Sequence, residues 1–494
     1  MPKSGWVRLL PFLIVCLLVS GCLPATQSLP RSEPAPTTPA IPPTEILSPS
    51  ATPSALPETP LPAAPERPHY QIDARLAEDL RTLQVQEEIR LTNPTDAALE
   101  SLPLVVEANG FAGAFELLKA SASNGIEIQE KTIKDNQLKL QLQPALPAGE
   151  TLTLALEYNL HLPPIRPGES QVFGYTQKQT NLADWYPFLP AFTTEDGWLV
   201  HPAAEVGEHT VYPAADFDVQ LHLPQLNPAL VVAASARAET IADGYAYHVE
   251  AARNFTWSAS QDYRVSTRQA GPVTVTSYAY PATELQARAA LEYTVQAVDY
   301  FTKQFAVEPP HTQLSIVQAD FPDGMEFDSL YFLSQRFYYG FDGSPRSYLA
   351  LIAVHETAHQ WWYARVGSDQ ALDPWLDEAL CTYSELLFYE NLNPELAKWW
   401  WGFRVEPYAA SGNLSMTIYD FSDFLTYRNS IYLRGVKFLQ AVRQTVGDDA
   451  FFSALQAYAN LNSGRIASSQ DLLNTFTAST HLDLGELESE YFQP

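Results

Sequence analysis

The hydrophobic pattern of this 494-residue chain changes its period near residue 270. Between about residues 70 and 271, apolar residues repeatedly alternate with polar ones, as Leu138, Leu140 and Leu142 do. Pro, Gly and Asn separate these runs, so the pattern predicts an antiparallel, sandwich-like β-domain. After Pro281 the spacing becomes helical, interrupted by two short strand-like stretches at 313–319 and 331–337.

The change of period predicts two folded domains and an α+β class. We expect a β-domain over residues 69–270 and a mainly helical domain with a small sheet over residues 271–494. Thr283 and Gln286 form a candidate capping box that would open the first helix of the second domain.

The first 22 residues are typical of an export signal. A basic start at Lys3 and Arg8 precedes a short apolar run, which ends at Ser20-Gly21-Cys22. This end resembles a bacterial lipobox, in which the cysteine carries lipid; an ordinary signal peptide is the alternative. We therefore expect a lipoprotein of the bacterial cell membrane, anchored through Cys22 outside the cytoplasm. The Pro-rich stretch 23–68 would be a disordered linker.

Charge and cysteine content exclude some functions. A formal net charge of −28 argues against nucleic-acid binding, which needs clustered Lys and Arg. Of the three cysteines, Cys16 and Cys22 belong to the signal segment, so no internal disulfide is expected. Cys381 is interpreted as a small buried helix residue. The sequence gives no indication of an oligomeric state.

The segment 348–354 is apolar on every side, which predicts a buried helix, and it runs directly into His355-Glu356-Thr357-Ala358-His359. Residues four apart share one helical face, so both imidazoles can bind one metal ion. Glu356 lies about 100° round the helix, where it can act as a base without being a ligand. Two buried core histidines are the alternative, but their polar atoms would need partners.

A third metal ligand is expected from the next predicted helix, which opens after Asp373-Pro374. Glu378 follows His359 by nineteen residues, and antiparallel helices could bring its carboxylate to the histidines. Glu385, seven residues further on, returns to the same face and is a candidate partner for a ligand histidine. Asp377 is expected to be a solvated acid of the first helical turn. Three protein ligands would leave a position open, which argues against a purely structural metal site.

These residues resemble a known family. The segment from His355 to His359, continued by Gln-Trp-Trp and later by Glu378 within Trp-Leu-Asp-Glu, is similar to the M1 aminopeptidases. The resemblance extends from about residue 70 to the end of the chain. It implies a thermolysin-like catalytic domain, one zinc ion per chain, and peptide substrates from which N-terminal residues are removed.

The resemblance also implies roles for residues outside the metal motif. Gly324, Met325 and Glu326 are similar to part of the family's Gly-Ala-Met-Glu-Asn motif, so Glu326 would bind the substrate's α-amino group. Tyr432 is similar to the tyrosine that stabilises the oxyanion. Gln179 lies in a segment similar to one that helps to hold the amine.

The sequence also departs from the family pattern. Phe327 stands where the family has Asn, and Asp323 stands where it has Gly. The family's large C-terminal helical domain is expected to be missing, which would open the cleft. A metallo-endopeptidase and a non-catalytic, peptide-binding surface lipoprotein are therefore kept as alternatives.

Overall fold

The structure, a computed structural model, describes residues 66–226 and 229–493. The predicted signal peptide with Cys22, and the predicted linker up to residue 65, lie outside the described residues. The described residues all belong to one compact unit, Glu58–Pro494.

The first part of the described chain is almost entirely β-structure. Its strands are β1 (His69–Leu76), β2 (Thr82–Thr92), β3 (Leu99–Val105), β4 (Phe115–Ala122), β5 (Glu127–Lys134), β6 (Gln137–Leu146), β7 (Thr151–His161), β8 (Phe173–Tyr175), β9 (Thr180–Leu182), β10 (Phe192–Thr193), β11 (Gly197–Trp198), β12 (Ala215–His222), β13 (Val231–Ala234), β14 (Ala238–Ile241), β15 (Gly244–Ala252), β16 (Trp257–Ser260) and β17 (Arg264–Ala270).

The second part combines a small sheet with helices. Its strands are β18 (Val273–Ala279), β19 (Gln313–Ala319), β20 (Gly324–Phe327), β21 (Leu330–Ser334), β22 (Gly367–Ser368) and β23 (Ile466–Ala467). Its helices are α1 (Glu284–Phe305), α2 (Gln335–Tyr339), α3 (Tyr348–His359), α4 (Trp375–Leu392), α5 (Pro394–Trp400), α6 (Phe424–Arg428), α7 (Arg434–Val446), α8 (Asp448–Leu461), α9 (Ser469–Thr480) and α10 (Gly485–Phe492). The predicted α+β class is confirmed.

A seven-stranded sheet dominates the β-rich part, with strand order β14-β15-β12-β1-β2-β7-β4. Burial alternates residue by residue along β2 and β7, as a period-two sequence requires of a sheet with one covered face. Strands β1 and β12 are parallel, so the sheet is mixed rather than purely antiparallel. The long chain segment between these two strands supplies the crossover that a parallel pair needs.

A five-stranded sheet, in the order β17-β18-β19-β21-β20, supports the helical part. Helix α1 connects the parallel strands β18 and β19 and packs on β17 and β18. Strand β20 forms one edge and pairs antiparallel with β21. Because β17 and β18 pair across residue 270, this sheet straddles the predicted division into two domains. The division at that residue stays a prediction.

Two local predictions need correction. Helix α1 begins where expected, but the capping box is wrong, because the Thr283 hydroxyl donates to the Tyr280 carbonyl and the Gln318 side chain instead. The strand predicted over 331–337 ends at Ser334, where α2 begins. The Ser334 hydroxyl accepts a hydrogen bond from the Arg336 amide and so caps that helix.

Helices α3 and α4 pack against each other in the core of the helical part. Every residue of α3 after Tyr348 is buried, as its continuous apolar sequence predicts. Each fully buried Leu or Ile in such a helix contributes roughly 1.5 to 3 kcal/mol through removal from water. In the portion of the chain that the structure describes, no helix is both long and apolar enough to cross a membrane.

Candidate metal centre

Helix α3 presents His355 and His359 side by side, with ring centroids 4.9 Å apart. Each ring uses its Nδ1 for a carboxylate of α4. His355 Nδ1 lies 2.8 Å from Glu385 Oε1, and His359 Nδ1 lies 2.6 Å from Asp377 Oδ1. An ionised carboxylate can only accept, so each of these contacts suits an imidazole with a proton on Nδ1. In that tautomer, Nε2 has a lone pair for a metal ion.

Glu378 of α4 completes a group of three potential metal ligands. Its Oε2 lies 3.3 Å from His355 Nε2. One ligand atom from each of His355, His359 and Glu378 lies within 4.8 Å of the others, and all three residues are buried. Nitrogen and oxygen ligands of a tetrahedral ion with bonds of ~2.0 to 2.2 Å are themselves about 3.4 Å apart. The three residues could therefore hold a metal ion.

Glu356 lies beside these ligands, and one of its carboxylate oxygens is available for a further contact. Among the described residues, its buried Oε2 has no hydrogen-bond partner. Its carboxylate is also within 4.8 Å of ligand atoms of Glu326 and His359. Burial raises the pKa of the Glu356 carboxyl well above its usual range, His355 opposes this, and Glu378 adds to it. An unpartnered carboxylate in such a place is suited to accept a proton.

The site holds more carboxylates than its own histidines can neutralise. Burial, opposed by His359 and reinforced by Glu208, raises the pKa of Glu326 well above its usual range. Burial and the neighbouring Glu378 raise the pKa of Asp377 in the same way. Glu208 is half-buried, and desolvation together with Glu378 and Asp377 raises its pKa to about 8. A divalent cation at this point would offset the repulsion.

Glu385 is fully buried and fully paired. Its Oε2 accepts from Trp400 Nε1 at 2.8 Å and from Arg404 Nε at 3.2 Å, while its Oε1 accepts from Arg404 Nη2 at 3.0 Å. Burial alone would raise the pKa of this carboxyl, but Arg404 and His355 outweigh it and lower the pKa. Glu385 therefore remains ionised and fixes the orientation of the His355 ring.

Asp377 corrects the expectation of a solvated acid. Only 1% of its surface is exposed, because the first turn of α4 packs into the core beside α3. Its Oδ1 faces His359, and its Oδ2 accepts from Gln370 Nε2 at 2.6 Å. Asp377 thus fixes the orientation of the His359 ring, as Glu385 fixes that of the His355 ring.

We expect Asp377→Asn to weaken Zn²⁺ binding by about 10- to 100-fold, because the amide is a poorer acceptor for His359 Nδ1–H. Competition with a chromogenic chelator measures the affinity. The matched control is Asp449→Asn, at an exposed position of α8 that makes the same change of charge. Unchanged affinity in Asp377→Asn would show that Asp377 does not tune the ligand.

Strand β20 brings Gly324, Met325 and Glu326 to the same place. A Cβ at position 324 would lie 2.0 Å from Glu356 Oε1, so no larger residue fits between this strand and the carboxylate. Glu326 is buried, and its Oε1 accepts a long hydrogen bond of 3.4 Å from Gln370 Nε2.

Tyr432 also reaches the site, from a π-helical segment, Asn429–Leu433. Its hydroxyl donates to Glu378 Oε1 at 2.5 Å, and its ring stacks nearly parallel to that of His355 at 6.2 Å. The distance from the α3 motif along the chain is large, so only the fold brings this phenol to the metal ligands.

The structure gives Gln179 no hydrogen bond to these residues. Its amide donates to Asn181 and Tyr263 and accepts from the Tyr280 hydroxyl, so both ends are engaged within the neighbouring strands. From the β-rich part Glu208 comes close instead, with a carboxylate oxygen within 4.8 Å of those of Glu326 and Glu378. Glu208 lies in a loop without a recognisable motif, and no signal in the sequence singled it out.

Comparison with known proteins agrees with this geometry. Residues 289–491 match the sequence model described as the peptidase family M1 domain. This part of the chain is a peptidase family M1 domain. His355, Glu356, His359, Glu378 and Tyr432 all lie within the matched residues, whereas Gln179 and Glu208 lie before them.

Curated relatives of the M1 domain carry aminopeptidase names. The chain is 28% identical to an aminopeptidase N of Lactobacillus helveticus over 152 residues, which is 28% of this chain and 18% of the relative. It is 26% identical to an aminopeptidase N of Streptomyces lividans over 221 residues, 41% of this chain and 25% of the relative. The chain is 26% identical to aminopeptidase M1-B of Oryza sativa subsp. japonica over 201 residues, which is 38% of this chain and 23% of the relative. The matches thus span a quarter or less of these relatives.

Proposed function

We propose that the M1 domain hydrolyses peptide bonds with one zinc ion and removes N-terminal residues from peptides. The observation that carries this proposal is the convergence of His355, His359 and Glu378 beside a buried carboxylate, Glu356, whose Oε2 has no partner among the described residues. The names of the relatives support the peptidase assignment.

Zinc suits the donor set of two imidazole nitrogens and one carboxylate. Three protein ligands of this kind are typical of catalytic zinc, with a fourth position left for solvent or substrate. The chemistry that zinc would supply is Lewis acidity towards the scissile carbonyl and the attacking water. Glu385 and Asp377 hold the two histidines in the tautomer that such an ion requires.

Glu356 is the proposed general base. In a peptide hydrolysis, its carboxylate takes a proton from the attacking water and passes it to the leaving amine. Burial favours this exchange, because desolvation raises the pKa of Glu356 and makes the carboxylate a stronger base. Because Gly324 has no side chain, strand β20 can lie close to this carboxylate.

Tyr432 is the proposed donor to the oxyanion. Its hydroxyl already points at Glu378 Oε1 and can turn to the oxygen that develops negative charge next to the same ligand. Burial, Glu378 and Tyr427 keep the pKa of Tyr432 well above its usual range, so the hydroxyl stays protonated and able to donate. One donor of this kind is commonly worth ~3 to 4 kcal/mol of transition-state stabilisation.

Glu326 is the proposed anchor for the substrate's free amino group. The residue is 93% buried, and its Oε1 accepts a long hydrogen bond from Gln370 Nε2. It lies beside Glu356 and His359. An ammonium group bound there would place the first peptide bond of the substrate over the metal ligands, which favours an aminopeptidase over an endopeptidase.

We expect Glu326→Ala to raise KM for substrates with a free N-terminus by about 10- to 100-fold, since it removes a charge-assisted hydrogen bond. Steady-state kinetics with a free peptide and its N-acetylated form measure this effect. The selectivity for the free form should fall with it. If the parent protein cleaves both forms equally well, the endopeptidase alternative replaces the aminopeptidase proposal.

We further propose that the protein acts outside the cytoplasm, held to a membrane by lipid on Cys22. This rests on the sequence of residues 1–22 alone, which combine a basic start, a short apolar run and a lipobox-like end. The Pro-rich residues that follow would then separate the M1 domain from the membrane surface.

A further inference from the structure

A cavity of about 230 Å³ opens beside Glu326, between strand β20 and the loops of the β-rich part. Met325, Glu326 and Phe327 form its wall on the side of the M1 domain, and Glu208 lies at the same end. Because Glu326 is the proposed amine anchor, the side chain of a substrate's first residue would start at this end of the cavity. Any role of this cavity in binding that side chain therefore rests on the proposed function.

The walls of the cavity combine apolar and aromatic side chains with uncharged polar ones such as Gln171 and Gln370, and its charged groups are mostly carboxylates. Phe111, Phe173, Tyr212 and Tyr363 contribute rings. The carboxylates that line it are Glu107, Asp184, Glu208 and Glu326. No Lys or Arg of the described residues lines it, and His209 is its one basic group there.

The carboxylates of the cavity fall into two groups. Glu208 and Glu326 lie next to the metal ligands. Asp184 and Glu107 lie together with His209, whose Nε2 is 3.1 Å from both oxygens of Glu107. Burial tends to lower the pKa of His209, but Glu107 and Asp184 outweigh it and raise that pKa, so His209 and Glu107 form an ion pair. Asp184 and Glu107 thus share the single positive charge of His209.

The Tyr212 hydroxyl donates a hydrogen bond to Asp184 Oδ1. His209 pairs directly with Glu107, at 3.1 Å, and acts on Asp184 through its charge. Desolvation raises the pKa of Asp184 to about 6; Tyr212 and His209 oppose this rise, and Glu107 adds to it. When all three are charged, the group of Asp184, Glu107 and His209 thus carries one net negative charge.

We propose that this cavity binds the side chain of the N-terminal residue and selects arginine or lysine, whose charged end is received by Asp184. A long basic side chain has an apolar stem for the aromatic walls and a cation for a desolvated carboxylate. An acidic side chain would be repelled. A neutral one would fill the cavity but leave the net negative charge of Asp184, Glu107 and His209 unbalanced.

The test compares substrates of one shape that differ in charge. The purified full chain is assayed with arginyl and citrullyl 4-nitroanilides, because citrulline keeps the size of arginine and lacks its charge; a leucyl substrate is included. The expected kcat/KM for the arginyl substrate exceeds that for the citrullyl one by about 10- to 100-fold. Asp184→Asn should lower this ratio by most of that factor, while Asp449→Asn, at an exposed aspartate outside the cavity, should leave it as in the parent.

The outcomes separate this inference from the function on which it rests. Equal kcat/KM for the arginyl and citrullyl substrates in the parent protein would overturn the basic selectivity and leave the aminopeptidase proposal intact. An unchanged ratio in Asp184→Asn would overturn the role of Asp184. If none of the three substrates is hydrolysed, both proposals fall. The comparison in the parent protein needs no variant, so it decides the matter even if Asp184→Asn does not fold.

Discussion

Replacing Glu356 with Gln is expected to lower kcat for peptide hydrolysis by about 10²- to 10⁴-fold, the contribution typical of a general base. Glutamine has the same shape as glutamate but cannot take up the proton of the attacking water. The change should leave the metal ligands in place, because Glu356 Oε2 has no hydrogen bond to lose among the described residues. Steady-state kinetics and the zinc content of the same sample measure the two effects separately.

The control for this variant is Glu395→Gln, at an exposed position of α5 that makes the same change of charge. It should match the parent in both measurements. Equal kcat in Glu356→Gln and parent would show that another group is the base. Loss of zinc together with activity would show that Glu356 belongs to the metal site itself, since it also lies near Glu326 and His359.

Removing the metal is expected to abolish hydrolysis and to destabilise the folded protein. Buried carboxylates, Glu326, Glu356, Glu378 and Asp377 among them, would then face one another without a divalent cation. Zinc that binds only the folded state should stabilise it by ~4 kcal/mol when the free ion is a thousandfold above its Kd. Thermal unfolding and activity after chelation, then after addition of one equivalent of Zn²⁺, test this expectation.

Two controls make the metal experiment specific. Mg²⁺ should restore neither activity nor stability, because it prefers six oxygen ligands to two imidazoles and one carboxylate. His359→Ala should remove the response of the unfolding midpoint to Zn²⁺. Full activity after exhaustive chelation would contradict the metallopeptidase proposal, whereas zinc binding without any hydrolysis would favour the non-catalytic alternative.

The parts of the site that the sequence predicts best are those governed by helical geometry. His355 and His359 share a face because they are four residues apart, and Glu378 and Glu385 share one because they are seven apart. Once α3 and α4 pack together, these spacings alone bring Glu385 to the His355 ring. Cys381, interpreted from the sequence as a buried residue of α4, is buried as expected.

The parts that the sequence could not predict depend on how separate segments meet. Asp377 lies in the first turn of a helix, where acidic residues are commonly solvated. Only the packing of α4 on α3 buries it. Glu208 reaches the site from a loop of the β-rich part. The resemblance predicts that Gln179 helps to hold the substrate's amine, whereas in the structure its amide bonds to Asn181, Tyr263 and Tyr280.

The bare backbone at Gly324 sets the spacing between the edge of the five-stranded sheet and the proposed base. Even an alanine methyl group would have to occupy the volume of Glu356 Oε1. Strand β20 and helix α3, which carries Glu356, are therefore in close contact at this point. Position 324 is thus where a single added carbon atom would disturb proton transfer without touching any ligand of the metal.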